Sequence, residues 1–426
     1  MKIKDCRRWL PPVLSIGGML LLSYILGAAV IRFKLPTSQY LLDAFEGAQA
    51  WAQQRDELFE MPGQPGQSVS SNIDVPEKTF DGFTLYTTNV DSEARLMNMR
   101  GEVIHRWHAP FRKVWPRPAQ VREPVPDDKI YLFGCYLYPN GDLLVIYHGT
   151  GDTPYGYGLA KLDKDSNVIW KFSANAHHAV DVGPDGTIYA LTQNVLHELP
   201  DGLDTFTAPA LVDNLIVLSP EGREIKSIPL LDALRHSAYA AFLMPGAHVP
   251  DHAWDILHAN FVEVLRPEMA AHFPMFKAGQ ILVSLRELDL LAVIDPQTSS
   301  VVWAARGPWH MQHDPHFLDN GRILVFDNRG EVQKSRVLEY DPQTQACPWY
   351  YSGGRDEAFF TAIQGRNQRL PNGNTLVVNS FIGMIQEITI DKELVWACNC
   401  HTHVPFAQRY APNELNFLKG VCNARP

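Results

Sequence analysis

The chain has 426 residues, 46% hydrophobic and 20% charged, an ordinary globular composition with ample material for a core, and length alone does not force several domains. The net charge of -10 hides an asymmetry: residues 1–34 carry six Lys/Arg and one Asp, which leaves the remainder near -15. A body that acidic is no nucleic-acid binder, because phosphate contacts need a basic face.

Lys2, Lys4, Arg7 and Arg8 precede an apolar run from about Leu10 to Ile31, closed by Arg32 and Lys34. About 20 apolar residues cross a bilayer as a helix. The run is longer than the apolar core of a secretory signal, and Gly27-Ala28-Ala29 is a weak cleavage site. Residues 1–34 therefore read as an uncleaved single-pass anchor, with the N-terminus in the cytoplasm because more positive charge precedes the span than follows it. Residues 35–75 read as a short helix and a linker. Tyr40, Leu41, Leu42, Phe45 and Ala48 recur with helical spacing, and Met61 to Asn72 is rich in Gly, Pro, Gln and Ser.

From residue 76 to 426 the chain repeats. A Gly turn followed by an apolar strand occurs at Gly82, Gly141, Gly186, Gly279, Gly321 and Gly373. It alternates with a hairpin that usually ends in Trp: Trp107, Trp170, Trp303, Trp349 and Trp396, with a degenerate copy ending near Ile228. Adding the strand before each Gly turn gives four strands per repeat. The expected fold is all-β, a six-bladed β-propeller, because radially packed four-stranded units leave only short edges exposed.

The inner strands of a propeller begin near the central channel, so equivalent positions point at one space. Counting back eight residues from Gly186 reaches His178, and from Gly321 reaches His313. The segment Trp254 to Asn260, with His258, falls at the intervening inner strand; the matching positions of two other blades are Gly365 and Phe133. Three neighbouring blades thus offer histidine to one side of the channel. Arg286 follows the strand Gln280 to Leu285 on the His258 blade, and its planar fork of donors suits a tetrahedral oxyanion. The segments Pro229 to His252 and Arg266 to Ala278 are expected to shape the mouth. At the C-terminus, Cys398, Cys400 and Cys422 suggest a disulfide in an oxidising compartment. Cys398-x-Cys400 with His401 and His403 lacks ordinary zinc spacing.

At these residues the sequence resembles the bacterial arylsulfotransferases that use no nucleotide donor. The matching stretches are His177-His178 before a Pro-Asp-Gly turn, Trp254-x3-His258-x-Asn260, Ile281 to Arg286 running into LLAVID, and Gln312-His313 before Asn320-Gly321 and Phe326-Asp327-Asn328. The resemblance implies a periplasmic six-bladed propeller, here tethered to the inner membrane. It implies transfer of a sulfuryl group from an aryl sulfate to a phenol by a ping-pong route through a sulfohistidine. By motif position His313 would be the nucleophile, with His178, His258 and Arg286 on the sulfuryl oxygens and Asn260 and His177 assisting in substrate binding. No cofactor and no metal ligand set is expected; a homodimer is compatible. The competing readings are a quinoprotein-like dehydrogenase, suggested by AVIDPQTSSVVW, a metal-dependent hydrolase using the three histidines, and a non-catalytic binding propeller.

Overall fold

The computed structural model describes residues 70–244, 252–331, 334–353 and 359–419. The expected membrane anchor and its adjoining helix lie outside the described residues, among which no helix is long and apolar enough to cross a membrane.

Six antiparallel sheets are present, each built around one repeat. From the channel outward, blade 2 runs Ile130–Leu137, Leu143–Gly149, Gly156–Leu162, Val168–Phe172, and blade 3 runs Ala176–Val182, Ile188–Leu196, Ala210–Leu218, Glu224–Pro229. Blades 4 and 5 begin with the inner strands Ala259–Val264 and His313–Phe317 and follow the same order. Blades 1 and 6 close the ring with both chain ends. The inner strand of blade 1 is Phe406–Tyr410, paired with Phe83–Thr87, and Ser70–Asp74 adds a fifth, outer strand to blade 6 beside Leu394–Asn399. The inner strand of the Gly82 repeat thus comes from the far end of the chain rather than from the residues before the turn. The expected linker also stops short of residue 75, because Ser70–Asp74 is part of a sheet.

The recurring Trp has a mechanical meaning. Trp170, on the outer strand of blade 2, donates its indole N–H to Pro220 O of blade 3; Trp349 of blade 5 reaches Ile390 O of blade 6; Trp396 of blade 6 reaches Met99 O of blade 1. Each ring therefore covers the interface to the next blade while its one polar atom caps a turn carbonyl. Blade 3 lacks the Trp, and Lys226 stands at its position: two residues beyond Glu224, as Trp170 is beyond Val168. Its ammonium donates to Pro296 O and Gln297 O of blade 4.

Around the channel the inner strands present unpaired backbone N–H groups, which an edge strand must cover. Asp181 accepts from Val264 N, Glu263 from Phe317 N, Asp314 from Asn367 N, and Gln368 from Arg409 N, each reaching one blade onward. The acidic channel lining is thus a sealing device, balanced by Arg266, Arg366 and His316. Against the pull of burial, Asp314 and Glu263 raise His316 to about 10.

Cys398 and Cys400 are buried free thiols, separated by a single residue on the strand Leu394–Asn399 and its exit, and Cys398 Sγ sits 3.9 Å from Met97 Sδ. Cys422 lies outside the described residues.

Candidate active site

The inner strands of blades 2 to 5 share an irregularity where they leave the mouth. The ladder slips between Leu132 and Cys135, between His177 and Val180, between Ala259 and Phe261, and between His313 and His316. A β-bulge re-aims side chains that would otherwise alternate across the sheet. His178 and Asp314, which lie on these bulges, and His258, just before the blade 4 strand, adopt φ of 57°, 50° and 45°, a left-handed conformation that non-glycine residues rarely hold without surrounding constraint. One constraint on His178 is Gly134 of blade 2: a Cβ there would lie 2.4 Å from the His178 carbonyl oxygen.

The bulges also correct the register drawn from the turn glycines. His177 pairs with Leu191 and His313 with Phe326, each partner five residues beyond its turn glycine. His313 therefore shares a ladder position with His177, and His178 lies on the bulge. The two imidazoles meet in space nonetheless, because the bulge swings His178 inward.

His178, Asn260 and His313 line one cavity with Phe133, Gln364 and Arg366, and the space left there is about 10 Å³, room for about one water. The His258 ring centroid is 4.9 Å from that of His178. Arg286 is 7% exposed and bonds Glu287 Oε1 through Nε at 3.2 Å and Nη2 at 2.6 Å. Glu287 is in turn held by His252. Against the upward pull of burial, Arg286 and His252 keep Glu287 at about 2, so the guanidinium is held by a carboxylate. His177 is wholly buried behind His178, outside the cavity wall, with Nδ1 2.8 Å from His178 Nδ1 and Nε2 3.3 Å from Asp213 Oδ1, off the line of a hydrogen bond.

Every imidazole at the cavity has its Nδ1 engaged. His313 Nδ1 faces Asn328 Oδ1 at 2.8 Å and Met311 O at 3.0 Å, both acceptors, so Nδ1 carries the proton and Nε2 the lone pair. His258 Nδ1 lies 2.5 Å from Asp255 Oδ2, a carboxyl that burial and the neighbouring Asp213 push well above its usual range. His178 Nδ1 donates to His177 Nδ1 when His177 turns its own N–H toward Asp213. Burial and then Arg286 hold His313 down at about 3; burial and Arg286 likewise push His258 well below the usual range, and burial with His177 does so for His178. All three rings are neutral at pH 7. The His313 lone pair is occupied by the backbone N–H of Gln364 at 3.2 Å.

Several residues here escaped the sequence reading. Tyr155 packs edge-on against His177 and His178 with centroids 5.8 Å and 5.4 Å apart, and its hydroxyl is 3.4 Å from His258 Nδ1. Asp213, Glu287 and Gln364 also hold site atoms. Asn328 and Asp255 did lie inside quoted motifs, but their partners could not be read from spacing. Of the two segments expected at the mouth, Pro229 to His252 lies partly outside the described residues; its described part, up to Met244, leaves the outer strand of blade 3 at the end on the histidine side. Arg266 to Ala278 joins the opposite ends of two blade 4 strands, at the far end of the channel.

An all-β ring that brings neutral imidazoles and a buried guanidinium to one channel mouth is a six-bladed propeller with a candidate active site. Residues 135–401 match the model of the arylsulfotransferase (ASST) family, and the chain belongs to that family. A comparison with curated proteins finds no match. Among solved structures, the chain is similar to a protein of unknown function from Bacteroides caccae, at 13% identity and a TM-score of 0.50, over 78% of this chain and 99% of that one. Virginiamycin B lyase from Staphylococcus aureus is similar at 10% identity and a TM-score of 0.35, over 62% and 69%. At such identity the first likeness speaks to the fold alone.

Proposed function

We propose that this family member moves a sulfuryl group from an aryl sulfate to a phenol in two steps, through a sulfated His313. The observation that carries the proposal is the tautomer of His313: a neutral imidazole whose Nδ1–H is taken by Asn328 and Met311 and whose lone pair is on Nε2, beside a guanidinium that cannot lose its charge. In the first step the Nε2 lone pair of His313 displaces the Gln364 N–H and attacks sulfur. The S–O bond to the aryl group breaks and phenolate leaves, giving an Nε2–S bond. In the second step an acceptor phenol attacks the same sulfur, its proton passes to Nε2 of His178 or His258, and the Nε2–S electrons return to His313.

Arg286 supports this reading by the donor it has left over. Glu287 takes Nε and Nη2, and Nη1 has no protein partner among the described residues. A preorganised donor of this kind strengthens its hold as charge spreads over the sulfuryl oxygens in the transition state. Asn260 commits Nδ2 to Gln312 O and leaves Oδ1 without a partner, an acceptor suited to the hydroxyl of an incoming phenol. The displaced Gln364 N–H lies where it can bond a sulfuryl oxygen attached to Nε2. We further propose that residues 1–34 tether the catalytic domain to the periplasmic face of the inner membrane.

The test is a rapid-mixing experiment with 4-nitrophenyl sulfate and no acceptor. A stoichiometric burst of nitrophenolate is expected, with one sulfuryl group added to the peptide containing His313 and neither event in His313→Ala. A burst that survives this substitution rules out His313 as the carrier.

A further inference from the structure

Outward from the histidines, between blades 2 and 3, lies a cavity of about 490 Å³, within the range of small-molecule sites. Its wall includes Gln120, Thr153, Pro154, Asn175, Gln193 and Asn194. The chain connects it directly to the site. Pro154 precedes Tyr155, whose ring touches His178; Asn175 is two residues before His177; Gln193 is two beyond Leu191, the ladder partner of His177.

Two amides there, a buried one and a half-buried one, have buried atoms short of partners. Gln193 is 1% exposed, and neither its Oε1 nor its Nε2 makes an aligned hydrogen bond, although the amide lies within reach of the Tyr155 hydroxyl. Gln120 spends Nε2 on Tyr157 O at 2.7 Å and leaves Oε1 unpartnered. A buried amide without partners costs stability, so natural structures nearly always supply one from protein, water or ligand. The unmet groups comprise donors and acceptors in one space, which is the complement of hydroxyls or amides rather than of an ion. The charged wall residues are Arg122, Glu123 and Asp152, of which Asp152 already accepts from the Tyr157 hydroxyl; one cation against two carboxylates offers nothing to an anionic substituent and suits hydroxyl donors.

We propose that this cavity binds the non-reacting part of the phenolic acceptor, and that this part is neutral and rich in hydroxyl or amide groups. The inference rests on the phenol-acceptor reading for its role in turnover, though not for binding. Tyr155 stands between the two spaces: its ring borders the histidines and its hydroxyl reaches both His258 Nδ1 and Gln193, so an acceptor spanning both would set its aromatic ring beside Tyr155 and its polar substituent against the two amides.

The experiment titrates the full chain calorimetrically with 4-hydroxyphenyl β-glucoside and with hydroquinone, which share the phenol and differ in the polar substituent. The glucoside should bind about tenfold more tightly, as one or two added hydrogen bonds allow. Gln193→Leu should collapse that ratio, and so should Asn194→Trp, which fills the cavity from an exposed position and leaves the two amides in place. Equal binding of the two ligands by the wild-type protein, or a ratio that survives both substitutions in folded protein, overturns the inference. The nitrophenyl sulfate burst is read on the same preparation. A Gln193-dependent glucoside preference without any burst would sink the transfer chemistry and leave the cavity assignment standing; a burst without the preference would do the reverse.

Discussion

Asn328 Oδ1 lies 2.8 Å from His313 Nδ1, while its Nδ2 holds the carbonyls of Thr361 and Gln364. One side chain thus sets both the tautomer of the proposed nucleophile and the position of the N–H that covers its lone pair. Asn328→Leu removes the acceptor and frees the loop. Turnover should fall by roughly 10²–10⁴, the scale seen when a catalytic imidazole loses its orienting acceptor. Single-turnover sulfation of His313 should slow in proportion, and a variant with an unchanged sulfation rate would show that Met311 O alone fixes the ring.

Arg286 should resist conservative replacement. Lysine keeps the charge but cannot bond Glu287 through a planar fork and still present a donor to the sulfuryl group. Arg286→Lys should lower kcat by ~10²–10³, the loss typical of one preorganised donor. Arg286→Ala should in addition destabilise the fold by ~3–5 kcal/mol, because it leaves Glu287 a buried charge that only His252 can answer. Denaturant titration of both variants separates the two effects.

The pH dependence has opposite signs on its two sides. His313 and His148 are held at about 3 in the folded chain, both chiefly by burial, against an ordinary value near 6.5. An unfolded chain therefore takes up protons that the folded one refuses, so their contribution is complete above about 6.5 and is lost as pH falls toward 3. His316, raised to about 10 by Asp314 and Glu263, stabilises fully below about 6.5 and loses its contribution as pH climbs toward 10. Stability should peak near neutrality, and His316→Gln should flatten the alkaline side only. The sulfation rate should show no acid limb near pH 6.5, since the nucleophile stays neutral there; a limb centred on that value would mean that the His313 ring is solvated in the working enzyme.

The turn glycines and terminal tryptophans were legible because each is demanded by local geometry repeated at a fixed period, and they led to the six blades. Ring closure was not. Phe406–Tyr410 pairs with Phe83–Thr87 more than 300 residues away, and nothing local distinguishes a strand that completes the first blade from one that follows the last. Among the site residues, His178, His258, His313 and Arg286 were found as a set, yet the count that equated His178 with His313 was wrong by one ladder position. A bulge consumes a residue without leaving a signature in side-chain alternation. Tyr155 and Gln364 stayed hidden for a simpler reason: they lie at irregular backbone beside the mouth, where no period exists to count.

The blade-to-blade contacts give a last prediction, on stability. Trp396 joins blade 6 to blade 1 across the closure, and its N–H is the buried partner of Met99 O at 2.9 Å. Trp396→Phe keeps most of the apolar ring and strands that carbonyl, which should cost ~1–3 kcal/mol. Lys226→Met removes a charged donor from two carbonyls at 2.7 Å and 2.9 Å, a loss of ~1.5–3 kcal/mol before relaxation. Lys226→Trp restores the residue type used at the same position in four other blades and should recover part of that loss, provided the indole N–H finds Pro296 O as Trp170 finds Pro220 O. Urea midpoints for the three variants decide the matter. If Lys226→Trp is no more stable than Lys226→Met, the lysine is not a substitute for the missing ring, and blades 3 and 4 are joined chiefly by their large shared apolar cluster, in which Leu215 and Ile228 pack with Phe261 and Val283.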